Sequence, residues 1–114
     1  MTESPNDRVD AVMTAIERLD GDGRLDLDEA LALLADRRRR LLVEVVVAHD
    51  DTLTLPDAAE EVAERETGRH VVDLPAERIK RVYVSLYHDH LPRLVDAGVL
   101  EYDQERDLIS PGYR

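Results

Sequence analysis

Arg78, Lys80 and Arg81 fall within four positions, and Ser85 and His88 follow at helical spacing. Guanidinium and ammonium groups hold phosphate oxygens and guanine edges, and Ser and His add polar contacts to the same targets. With Arg93 included, residues 76–93 carry four bases against two acids, a net of +2. The densest basic run is residues 37–40, all arginine. Four consecutive helical residues point all round the axis, so they cannot form one patch. At least one is expected to pair with a carboxylate at the core rim. The others, Arg37 and Arg40 among them, could reach phosphate or line a subunit interface.

Other chemistries fit less well. His88 and His90 flank Asp89, but residues two apart on a helix face away from each other and no third ligand is evident, so no metal is expected there. Residues 18–29 have the spacing of a calcium loop, with Asp20, Asp22, Gly23, Asp26 and Glu29 in ligand and turn positions. The first position is Arg18, which brings a positive charge in place of a ligand, and a Gly-Asp-Gly turn leading to a helix cap is the better account. The chain has no Gly-rich phosphate loop, no nucleophile with a spaced base and no carboxylate pair that stands out from an acidic background. Neither an enzyme nor a cofactor nor a small-molecule substrate is expected.

At 114 residues the chain is one domain with an arm to spare. It is 43% hydrophobic but only 4% aromatic, so its core must be aliphatic. The absence of Cys rules out a disulfide scaffold and a thiol nucleophile. No apolar run is long enough to span a membrane and the first ten residues are polar, so a cytoplasmic protein is expected. The charge of −11 argues against a generic polyanion binder. With 26 acids, a single Lys and a regular apolar pattern, it reads as adaptation to concentrated salt.

The apolar periodicity sets out the elements that must position these residues. Val9, Val12, Met13, Ile16 and Leu19 form one stripe of a helix over residues 8–19. Such a stripe would cover the core or make a two-fold contact. Asp28 is expected to cap a helix to about Ala35, with Leu31, Leu33 and Leu34 apolar. Asp36 is expected to cap another through about His49, carrying Leu41, Leu42, Val45, Val46 and Ala48. Whether the two helices join or kink at Asp36 stays open. Residues 52–55 suit a short edge strand, and Pro56 suits the first turn of a helix from Asp57 to about Glu66. Residues 71–74 read as an extended linker. The longest periodic stretch, residues 76–97, has the stripe Ile79, Val82, Tyr83, Leu86, Leu91, Leu94 and Val95. Pro92 kinks or restarts it, and Gly98 makes its C-cap. Residues 99–102 and 108–109 flank a polar turn and predict a hairpin.

Helix, short strand, helix, helix and hairpin is the order of a winged helix-turn-helix, mainly α with a small β-hairpin. Ser85, His90-Leu91, Leu94 and Ala97-Gly98-Val99 resemble the recognition-helix signature of arsenic-repressor-like and multiple-antibiotic-resistance-repressor-like regulators. Together with the run 35–40 and residues 81–87 and 97–103, the pattern is similar to a haloarchaeal winged-helix family of uncharacterised function. The resemblance covers about residues 28–109. Residues 1–24 fall outside it and read as an N-terminal tail and helix, before a winged-helix domain over 25–110 and a tail at 111–114. With the local charge and the spare helix, the expectation is a homodimeric transcriptional regulator that binds duplex DNA in high salt, through Arg78, Lys80, Arg81, Ser85, His88, Arg93, Arg37 and Arg40. The alternative is a winged-helix interaction or dimerisation module that binds no DNA. The hairpin tip favours that alternative, since its only base, Arg106, lies among Asp103, Glu105 and Asp107.

Overall fold

A computed structural model describes residues 27–49 and 52–112. The stripe at 8–19 and most of the calcium-like spacing at 18–29 lie outside the described residues. The chain runs through α1 (Leu27–Leu33), α2 (Arg37–His49), β1 (Leu53–Thr54) and α3 (Leu55–Thr67). A 3-10 turn (Val71–Asp73) leads to α4 (Ala76–Ser85), a π-helical turn (Leu86–His90) and α5 (Leu91–Asp96). The strands β2 (Leu100–Asp103) and β3 (Leu108–Pro111) close the chain. Among the described residues no helix is long and apolar enough to cross a membrane.

Helix α2 is the centre of the core. Residues 41–46 are all buried, as a helix apolar on nearly every side must be. Asp36 caps it: its Oδ1 accepts from the backbone N–H of Arg39 at 3.0 Å. That bond, more than any nearby charge, holds the Asp36 carboxyl below the usual carboxylate range. Helices α1 and α2 are therefore separate. Asp28 sits inside the first turn of α1 instead of capping it. The α1 face that packs inward carries Ala30, with Leu34 buried just beyond its end, while Leu31 is exposed. The helix expected to about Ala35 ends at Leu33, after seven residues.

Helix α3 has clear boundary signals. The Thr54 hydroxyl accepts from the backbone N–H of Asp57, Pro56 occupies the first turn, and Gly68 ends the helix at φ 72°. Ala58, Ala59, Val62 and Ala63 bury its inner face. Small side chains there let α3 approach α2 and α4 closely. The linker at 71–74 is tighter than expected. The Glu64 carboxylate accepts from the backbone N–H of Val71 at 2.7 Å, and Leu74 N–H bonds to Val71 C=O. These bonds curl an apolar segment that would otherwise stay extended.

The three strands form one antiparallel sheet in the order β1-β3-β2, with Leu53 and Tyr102 on either side of Ile109. β1 is an edge strand, as its length suggested. Leu100 and Ile109 face the core with Val82, Leu86, Leu91 and Leu94. This is a winged helix-turn-helix: α3 and α4 are the helical pair, and β2–β3 is the wing.

The π-helical turn answers the question set by Pro92. Leu91 N–H bonds to Leu86 C=O, five residues back. Proline has no N–H and its ring clashes with the carbonyl four residues earlier. A wider turn just before it removes the clash without a break, and α5 continues in right-handed helical geometry.

Candidate nucleic-acid interface

The exposed side of α4 carries a shallow groove of about 330 Å³ lined by Glu77, Lys80, Arg81, Val84 and Ser85. Beside it, where α3 ends and α4 begins, is a cleft of about 610 Å³ bordered by Thr67, Arg69, Pro75, Arg78 and Arg81. Arg81 borders both. Lys80 and Arg81 are exposed, and their side chains make no hydrogen bond or ion pair among the described residues.

Several of the other basic residues are committed elsewhere. Arg38 grips Glu66 with two bonds, Nε to Oε2 at 2.5 Å and Nη2 to Oε1 at 3.0 Å. Arg78 Nη2 lies 3.7 Å from the same Oε1. Glu66, only 9% exposed, thus ties α3 to both α2 and α4, and its hydrogen bonds hold the Arg38 guanidinium above its ordinary pKa. Arg39 and Arg40 turn back on α1. Their Nη1 groups donate to the carbonyls of Leu33 at 2.9 Å and Leu34 at 3.0 Å, which the helix end leaves unpaired. Arg40 is thus held at the C-terminal end of α1, where those carbonyls need donors, away from the groove. Arg37 is exposed at the start of α2 but lines neither groove nor cleft. Arg93 is exposed and bonded to Asp89 at 2.8 Å, beyond the π turn. His88 is exposed, and its ring meets Tyr87 edge-on at 5.0 Å.

Of the eight residues expected to contact DNA, the structure brings Lys80, Arg81 and Ser85 into one groove and sets Arg78 in the adjoining cleft. Two features were missed. Arg69 joins the cleft, and its only signal was a base in the turn between two helices. Tyr83 and Tyr87 stack with ring planes 4° apart and centroids 6.4 Å apart, a pairing readable from their four-residue spacing. Tyr102, on the wing, donates its hydroxyl to Asp107 at 2.7 Å. Burial first, then that bond, pushes its phenol well above the ordinary range, and the phenols of Tyr83 and Tyr87 add to the shift.

Residues 31–110 match a family described as a domain of unknown function, DUF7344. The chain belongs to this family. The DUF7344 region begins within α1 and ends in β3, so it contains the helical pair, the wing and every residue of the groove. No curated protein and no solved structure matches the chain.

His90 is the buried polar residue that locks this DUF7344 domain's second half to its first. Its Nδ1 accepts from Arg39 Nε at 3.4 Å, and its Nε2 lies 3.8 Å from Asp36 Oδ1. Burial lowers its pKa, and Arg39 and Arg38 reinforce the effect against Asp36 and Asp89. The folded state therefore favours neutral His90, and below the unfolded pKa of about 6.5 the unfolded chain binds more protons. Stability should be complete above that pH and fall as pH drops through the window just below it. Urea unfolding at several pH values should show this loss in the wild type and a smaller one in His90→Gln. Equal slopes in both proteins would remove His90 as the cause.

Proposed function

We propose that the chain binds duplex DNA in a sequence-selective manner, as a small cytoplasmic transcriptional regulator working in concentrated salt. One observation carries this reading: Lys80 and Arg81 stand free on the exposed side of the second helix of a helix-turn-helix, together in one groove with Ser85. That helix is the element which enters the major groove in such folds. Arg69 borders the adjoining cleft, where it adds a phosphate contact.

The charge distribution restricts the mechanism. The wing cannot follow a phosphate backbone, since Arg106 is engaged by Asp103 at 3.8 Å and Glu105 and Asp107 add further negative charge. Concentrated salt also leaves little free energy in counterion release. Selectivity must come from base-edge contacts and shape, with α4 as the reader. A random-sequence duplex pool titrated in a KCl series tests this by fluorescence anisotropy, followed by selection of the bound fraction. Lys80→Ala/Arg81→Ala should weaken binding to the selected duplex by roughly 10- to 100-fold. Unchanged affinity, or no enrichment of any sequence, would sink the assignment.

A protein-interaction role has its own support in the apolar middle of the same face, where Val84 is 42% and Tyr87 37% exposed.

A further inference from the structure

The exposed side of α4 changes character in a fixed order. Lys80 and Arg81 share a groove with Val84. Val84 is followed one turn later by Tyr87, which stacks on Tyr83. The next aromatic group is Tyr102 on the wing, whose hydroxyl is held by Asp107. Beyond that bond the wing carries Asp103, Glu105 and Asp107 against Arg106 alone. The surface therefore passes from a net positive end, where Glu77 lines the groove beside Lys80 and Arg81, through an apolar and aromatic middle to a net negative wing.

We infer that this face is a two-fold interface with a second copy of the chain. A surface with one sign at each end and an apolar middle is complementary to itself when turned about a two-fold axis, the condition an isologous contact must meet. Lys80 and Arg81 of one protomer lie against the wing carboxylates of the other. Val84 and Tyr87 meet their counterparts near the axis, and tyrosine is a favoured residue at the centre of interfaces. In concentrated salt the charges are screened, so they set the register while the aromatic middle supplies most of the affinity. This inference stands apart from the DNA reading, but the two compete, because the same face cannot hold DNA and a second copy at once. The dimer is then the DNA-free form, and duplex competes with self-association.

Sedimentation of the full chain over a concentration series, at fixed KCl, tests the interface without DNA. Two charge-reversed variants alter only exposed side chains: Lys80→Glu/Arg81→Glu at one end, and Gln104→Lys/Glu105→Arg at the wing tip. The wild type should dimerise reversibly. Each variant alone should self-associate at least about tenfold more weakly, because like charges now face each other. An equimolar mixture of the two should recover association toward the wild-type level, since the reversed ends match across the axis. A wild type that stays monomeric, variants that dimerise as well as it does, or a mixture no better than either variant would each overturn the interface. Restored association in a chain that binds no duplex would leave the interface standing and remove the DNA reading. Duplex binding in a chain that fails the mixing test would do the reverse.

Discussion

Replacing Glu66 with alanine should destabilise the domain by about 2 kcal/mol, a drop in Tm of roughly 10 °C. Glu66 is almost fully buried and is the common partner of Arg38 and Arg78. Its removal leaves two guanidinium groups facing each other with no anion between them. Breaking a fully buried pair costs about 3–5 kcal/mol, but both arginines are partly exposed and water can solvate them, so the lower figure applies here. Glu66→Gln keeps an acceptor oxygen and most of the packing, and should lose about half as much. The three-residue bridge joins α2, α3 and α4, so the loss should appear in global unfolding and not only at the end of α3. Arg78→Ala should follow the same pattern with a smaller stability loss. It should also cost less duplex affinity than Arg81→Ala, because Arg78 acts by positioning α4. A Glu66→Ala protein with wild-type Tm would show that the bridge contributes nothing.

Gly112→Ala is expected to cost about 2 kcal/mol through a different mechanism, the overpacking of two backbones. Gly112 N–H bonds to Val99 C=O at 2.8 Å, which brings the end of β3 against the corner that begins β2. A Cβ at Gly112 would lie 2.2 Å from the Gly98 carbonyl oxygen and 2.9 Å from Val99 C, both backbone atoms that no rotamer change can move. The corner itself is fixed, since Gly98 holds φ 79° and Val99 N–H bonds to Leu94 C=O. The strand end must therefore shift and lose its bond to Val99. Thermal unfolding measures the cost, and amide exchange at Val99 and Gly112 should locate it. Unaltered exchange at both sites would contradict the close approach.

Much of the fold was legible because its boundaries rest on local chemistry. Asp36, Pro56, Gly68 and Gly98 each act within one turn of their own position, and each does in the structure what its residue type implies. The π turn was not legible. Pro92 announced a disturbance, but relief by a wider turn depends on the packing of both Leu86 and Leu91. Which of the apolar residues of α1 turn inward was not legible either, since a seven-residue helix is oriented by what it packs against. The candidate site was legible in part. Charge near the start of the long helix pointed to Lys80 and Arg81. Nothing in the sequence separated them from Arg78 and Arg40, whose partners lie 12 positions back along the chain in one case and on a preceding helix end in the other. Which cation is free is a tertiary property.

The π turn gives the helix from α4 to α5 two phases. A residue beyond Leu86 sits about one residue's rotation behind the place that regular α-helical counting would assign. The anchoring half, with His90, Leu91 and Leu94, keeps its own angular setting against the core, while Lys80, Arg81 and Val84 keep another toward the outside. The outward face can therefore vary in aim without unpacking the inward one. Aligned to a homologue with a regular helix here, this chain would carry one residue too many between Leu86 and Leu91, and the surplus would mark the angle at which α4 is presented.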